Sequence, residues 1–185
     1  MRIIAGNRRG AKLTAPTGLD ARPTADRVRE SLFNILDGGR FGIPYRGKLV
    51  VDAFAGTGGL GLEALSRGAR HAVFLEQAIP SRKALFQNIR ALRYEEITTV
   101  IDGDAAALRR PAPESAGLVM LDPPYNSGLA GPCLEALRRH GWLDLETLVV
   151  VEVAAKEDFD VPDGFEALDS RRYGAARLEF AGLAS

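Results

Sequence analysis

Asp122-Pro123-Pro124-Tyr125 sets a carboxylate, two carbonyls and an aromatic ring in four consecutive positions. The prolines fix φ and carry no N–H, so the loop offers acceptors beside a flat apolar face. Such a set suits an amine on a planar heterocycle. Asp122 and the Pro123 carbonyl accept from an exocyclic NH2 while Tyr125 stacks on the ring, as an enzyme acting on an extruded nucleobase must hold it. The plainer reading of the same residues is a proline turn that ends a strand.

A second group begins 66 residues before Asp122. Gly56, Gly58 and Gly61 fall at positions 1, 3 and 6 of a turn that follows the apolar run Leu49 to Phe54. This matches G-x-G-x-x-G, which brings backbone against a cofactor at a helix N-terminus, and Glu76 stands twenty residues on, where an acidic residue binds a ribose. The glycines alone do not separate a nicotinamide dinucleotide from another adenosine cofactor. Asp52 separates them by charge: at the end of the strand it would repel a pyrophosphate and attract an ammonium. S-adenosylmethionine carries an ammonium and a sulfonium, and its ribose hydroxyls suit one carboxylate. Asp104, after a third apolar run, is expected at the edge of the same crevice, accepting from an adenine amine. Phe54 and Ala105 complete the expected cofactor set. For each carboxylate the plainer role is a cap or a solvated strand end.

These groups need a scaffold that gathers strand ends. Apolar runs at Leu49 to Phe54, Ala72 to Glu76, Thr98 to Asp102, Leu118 to Asp122 and Leu148 to Val153 read as strands. Helical segments separate them: Gly59 to Arg67, stopped by Gly68; Pro80 to Leu92, opened by its proline; and Gly131 to His140. Val28, Ser31, Leu32, Ile35 and Leu36 predict an earlier helix over 25–37. Strands that are apolar throughout belong to a parallel sheet covered on both faces, so the pattern predicts an open, doubly wound α/β sheet. Leu168 to Tyr173 and Ala176 to Phe180, joined through Gly174, read as an antiparallel hairpin finishing it. At the other end, Arg2 to Ala5 and Ala11 to Thr14 flank an arginine-tipped turn bounded by Gly6 and Gly10, a small hairpin.

The chain has 185 residues, 46% hydrophobic and 26% charged, which suits one soluble domain with a sizeable core. One cysteine and two histidines leave no basis for a disulfide framework or a Cys/His metal site. No apolar stretch reaches the roughly 20 residues that span a bilayer, and Arg2-Ile3-Ile4 lacks a signal-peptide core, so a cytoplasmic location is expected. Net charge is zero overall, but residues 1–30 carry seven basic side chains against three acidic ones. A basic arm on a slightly acidic body can direct a polyanion to one face, or can be a solvated surface segment.

With these groups in this order, the chain resembles the Rossmann-like S-adenosylmethionine-dependent methyltransferases that carry a D/N-P-P-Y acceptor motif. The segment Arg22-Pro23-Thr24-Ala25-Asp26-Arg27-Val28-Arg29-Glu30-Ser31-Leu32-Phe33-Asn34, followed by the helix from Leu60 to Ala69, is similar to the bacterial guanine-N2 methyltransferases of small-subunit (16S) ribosomal RNA, the RsmD type. The resemblance spans nearly the whole chain. It implies a seven-stranded sheet ending in a hairpin, and methyl transfer to a guanine in a partly assembled small subunit. It also implies an N-terminal hairpin on RNA, so residues 1–24 are expected to form a basic arm and 25–185 the catalytic domain, acting as a monomer. Arg8, Arg9, Lys12 and Arg22 are assigned to RNA backbone. The chain departs from its relatives at Gln77-Ala78-Ile79, where a further acidic residue is usual near position 78; the adenine pocket is expected to differ there. Three other readings stand beside this one: an adenine-N6 methyltransferase with the same acceptor motif, a nicotinamide-dependent reductase, and a non-catalytic RNA-binding module.

Overall fold

The computed structural model describes residues 1–16 and 23–185, with side-chain surroundings resumed from Asp26. Arg22 therefore lies outside the described residues. Among the described residues, four α-helices and seven strands follow in the order α1 (Pro23–Asp37), β1 (Leu49–Ala53), α2 (Gly59–Ser66), β2 (His71–Glu76), α3 (Ile79–Leu92), β3 (Thr98–Asp102), β4 (Leu118–Leu121), α4 (Ala130–Arg139), β5 (Leu148–Ala154), β6 (Phe165–Tyr173) and β7 (Ala176–Leu183). The strands form one sheet in the order β3-β2-β1-β4-β5-β7-β6. The first five are parallel, while β7 runs antiparallel to β5 and to β6. This is the doubly wound sheet that the apolar runs predict.

Alternate residues of the buried strands serve two cores. Val50, Phe74, Met120 and Val150 pack with Leu32 and Phe33 of α1, Leu62 and Leu65 of α2, and Leu85 and Ile89 of α3. Val51, Leu75, Val119 and Val151 pack on the other face with Cys133, Leu134 and Leu137 of α4 and with Trp142. Both faces being covered explains why these strands read as continuous apolar runs rather than alternating ones.

The terminal hairpin begins three residues earlier than its apolar pattern suggests, at Phe165. A bulge between Ala167 and Asp169 throws Leu168 out of register and leaves it 40% exposed. Two 3-10 turns, Glu95–Ile97 and Ala105–Ala107, lead into and out of β3. At the N-terminus the hairpin is held by backbone bonds Ile3 N to Ala11 O (2.9 Å) and Gly10 N to Ile3 O (2.9 Å), with a single bridge between Arg2 and Lys12 instead of full strands. It is fastened to α2: the buried Glu63 carboxylate accepts from Ile4 N (2.8 Å), Ala5 N (3.0 Å) and Arg67 Nε (2.7 Å). Gly6 sits so close to α2 that a Cβ would lie 1.8 Å from the Ser66 carbonyl oxygen. No helix among the described residues is long and apolar enough to cross a membrane.

Candidate active site

The parallel strands end on one side of the sheet, where a crevice opens at the reversal of strand order between β1 and β4. A cleft of about 770 Å³ occupies it. Phe54, Glu76, Ala105, Asp122, Pro123, Pro124 and Tyr125 all line this cleft, so tertiary structure unites the acceptor loop with much of the expected cofactor set.

The loop Asp122 to Tyr125 is tied to its neighbours. Asp122 N donates to Ala53 O at the end of β1 (3.3 Å), and the Pro124 carbonyl accepts from Ser127 N (3.2 Å) to close a turn. Asn126, in the left-handed region at φ 56, donates its N–H to Glu157 (2.9 Å). Tyr125 is 39% exposed, and its hydroxyl donates to Glu152 Oε1 of β5 at 2.7 Å. The hydroxyl end of the ring is thereby tied to β5.

On the cofactor side, Glu76 Oε2 accepts from Gly56 N (2.7 Å) and Oε1 from Ala78 N (2.6 Å). The first glycine amide is thus committed to a carboxylate, where a dinucleotide site would aim it at phosphate. Each Glu76 oxygen keeps a second lone pair for a hydroxyl donor. The chain enters this turn through Phe54 at φ 62, a left-handed conformation that costs a non-glycine residue energy and is held by the packing around it. Gly58, at φ 85, would bring a Cβ to 2.4 Å from Leu85, and Gly61 would bring one to 2.5 Å from Phe74. These two glycines serve the approach of α2 to its neighbours, while at Gly56 (φ 55) a Cβ would meet nothing within 4 Å.

Neither Asp52 nor Asp104 lines the cleft. Asp52 is 1% exposed, and its Oδ2 accepts from Gly61 N at 2.8 Å, linking β1 to the first turn of α2. Burial pushes its carboxyl up to about 8; the Gly61 bond opposes this, the charges of Asp122 and Glu76 add to it, and Arg29 opposes it. Asp104 is exposed and caps the 3-10 turn after β3, accepting from Ala106 N at 2.9 Å. Its neighbours Gly103 and Ala105 line the cleft instead. Gln77 and Ala78 line it too, so the departure from the acidic pattern lies at the cleft wall. Arg82 braces that edge through the Glu76 and Gln77 carbonyls (3.2 and 2.6 Å) and Asp102 (2.5 Å).

Glu152 is the residue that motif reasoning passed over. It follows the Leu121–Val151 pair on adjacent parallel strands, as Asp122, the start of the acceptor loop, does on β4, and it lines the cleft. Burial raises its carboxyl above the ordinary range, with the Tyr125 hydrogen bond opposing. The signal was present in Leu148-Val149-Val150-Val151-Glu152-Val153-Ala154: one charge near the end of an otherwise apolar strand is costly unless a site uses it. Asp52, Glu76, Asp122 and Glu152 gather four carboxyl groups in this region, two of which, Asp52 and Glu152, burial makes harder to ionise. That favours a cationic ligand and disfavours a pyrophosphate.

The basic residues of the N-terminal hairpin divide into two kinds. Arg9 and Lys12 are exposed, whereas Arg8 lies over the Tyr94 ring at 5.5 Å and its Nε donates to Leu92 O at 2.9 Å. No group of three or more His, Cys, Asp or Glu side chains among the described residues is placed to hold a metal ion.

Known proteins carry the same organisation. The family described as Conserved hypothetical protein 95 matches residues 1–182. Ribosomal RNA small subunit methyltransferase D of Escherichia coli strain K12 is 37% identical over 157 residues, covering 82% of this chain and 74% of its own length. The protein of the same name from Haemophilus influenzae is 34% identical over 178 residues, covering 94% and 89%. The solved structure of Escherichia coli yhhF matches with a TM-score of 0.82 at 32% identity, over 99% of this chain and 97% of that one. Sequence similarity over nearly the whole chain, on a shared Rossmann-like fold, shows that this protein belongs to the Conserved hypothetical protein 95 family, the RsmD family of methyltransferases.

Proposed function

We propose that this protein transfers a methyl group from S-adenosylmethionine to the exocyclic N2 amine of a guanine in small-subunit (16S) ribosomal RNA. It acts as a cytoplasmic monomer on a partly assembled subunit. The observation that carries this reading is the single acidic cleft in which Glu76 and the Asp122 to Tyr125 loop share a wall. A cationic cofactor and a planar amine fit that combination, and membership of the family favours ribosomal RNA as the source of the amine.

Bound S-adenosylmethionine supplies an electrophilic methyl on a sulfonium. Glu76 would accept from its ribose hydroxyls, and Phe54, Gln77, Ala78, Gly103 and Ala105 would flank its adenosine. Asp52 would act on its charge from behind the glycine turn. The guanine N2 lone pair is delocalised into the ring, which makes it a poor nucleophile. By accepting both N–H bonds, Asp122 and the Pro123 carbonyl localise that lone pair and stabilise positive charge building on nitrogen. Tyr125 clamps the ring, and orientation of this kind contributes on the order of 7 to 11 kcal/mol. Asp122, directly or through water, takes the departing proton. Residues 1–24 form the RNA-directed arm, with Arg8, Arg9, Lys12 and Arg22 toward the backbone.

Incubating unmodified small subunits with the protein and labelled S-adenosylmethionine, then analysing nucleosides by mass, tests the reading. N2-methylguanosine is the expected product; N6-methyladenosine or no transfer would refute it. Thermal shift with S-adenosylmethionine against a nicotinamide dinucleotide tests the cofactor separately, stabilisation by the first alone being expected.

A further inference from the structure

The Asp122 to Tyr125 loop recognises an amine on a ring without choosing between guanine and adenine, since both present an exocyclic NH2. What differs is the ring atom beside the amine. Next to N2, guanine has N1–H, a donor; next to N6, adenine has unprotonated N1, an acceptor. A carboxylate placed beside the amine-binding loop would accept from the first and repel the second.

We infer that Glu152 is that specificity-determining residue, accepting from guanine N1–H while Asp122 and the Pro123 carbonyl hold the N2 amine. The inference rests on the guanine-N2 reading above and extends it. Three observations carry it. Glu152 lines the same cleft as all four residues of the acceptor loop. It lies one strand over from Asp122, where β4 and β5 run parallel in register up to the Leu121–Val151 pair. Its Oε1 is held by the Tyr125 hydroxyl at 2.7 Å, so the residue that stacks on the base also orients the carboxylate beside it. A carboxylate has about four lone-pair sites, and the tyrosine bond uses one.

A purely structural Glu152 would serve only to anchor Tyr125, and removing either end of that bond would then have the same effect. Base reading gives unequal effects. Glu152→Ala, Glu152→Gln and Tyr125→Phe are assayed on unmodified small subunits with labelled S-adenosylmethionine, recording kcat, KM and the methylated nucleoside. S-adenosylmethionine affinity, expected within about two-fold of wild type, serves as the check on folding. Tyr125→Phe keeps the stacking ring and is expected to lose less than about five-fold in kcat. Glu152→Ala is expected to lose roughly 100-fold, in line with the discrimination that a well-placed base contact provides. Glu152→Gln, which retains an acceptor for the tyrosine, is expected to lose about ten-fold and carries the test should the alanine variant fail to bind cofactor. Glu152 variants no worse than Tyr125→Phe, with wild type producing N2-methylguanosine, would overturn the inference and leave the proposed function standing. A wild-type protein that methylates adenine or transfers nothing would instead overturn the guanine reading, and the Glu152 assignment with it.

Discussion

Asp52→Asn replaces the most deeply buried carboxylate of the site with a group of the same shape. The native side chain is 1% exposed, with its carboxyl raised from 3.8 to about 8, chiefly by burial. A raised folded value means that, between about pH 4 and pH 8, the folded protein holds a proton the unfolded chain has released. Stability is therefore lost as pH rises through that window. At about 1.4 kcal/mol per pH unit, the full displacement corresponds to roughly 5 to 6 kcal/mol. Asparagine keeps a carbonyl to accept from Gly61 N and cannot ionise, so it removes this dependence. Its new NH2, if unpaired, costs about 1 to 3 kcal/mol at every pH. The measurement is unfolding by denaturant for both proteins at pH 5 and pH 8. The stability of Asp52→Asn relative to wild type should rise by about 4 kcal/mol between the two. A difference constant to within about 0.5 kcal/mol would show that Asp52 is already ionised in the folded protein, and the account of burial and of repulsion from Glu76 and Asp122 would fail. Since the same repulsion is what a cationic cofactor relieves, the variant should also bind S-adenosylmethionine more weakly despite being more stable at pH 8.

Asp122→Ala should abolish methyl transfer while leaving S-adenosylmethionine affinity near normal by calorimetry; a parallel loss of affinity would move Asp122 into the cofactor site. Gly61→Ala places a Cβ 2.5 Å from Phe74 and 3.2 Å from the Asp52 Cβ, so unfolding midpoints should report a loss of about 1 to 3 kcal/mol. Neutralising Arg9 or Lys12, both exposed, should lower the salt slope of RNA affinity by roughly one without changing stability, and an unchanged slope would route the RNA elsewhere. Arg8→Ala should additionally destabilise the fold, read by thermal unfolding, because its guanidinium is engaged with Leu92 O and the Tyr94 ring.

Much of the architecture was legible because its signals are local. The five parallel strands and four helices fall within a few residues of where apolar runs, Pro80 and Gly68 place them. The exceptions have non-local causes. Phe165 belongs to β6 because it pairs with Leu183 across the hairpin, and the bulge at Leu168 breaks the alternation that would have extended the strand from its own sequence. The 3-10 turn at Ala105–Ala107 carries no periodicity of its own; it is set by the cap from Asp104.

By itself the sequence determined the chemical inventory: an acceptor loop at Asp122 to Tyr125, a glycine turn after β1, acidic residues at strand ends and a basic first segment. Residue type and spacing suffice for these, since a proline has no donor and a glycine turn needs no distant partner to be recognised. Tertiary structure alone decided which way each group faces. It turned Asp52 inward to Gly61, gave the Gly56 amide to Glu76, used Asp104 as a cap and brought Glu152 to Tyr125 from a strand 27 residues on. The physical reason is that a parallel sheet gathers the ends of strands far apart in sequence. Which carboxylates meet a ligand there is fixed by strand order and register, and no local pattern encodes either.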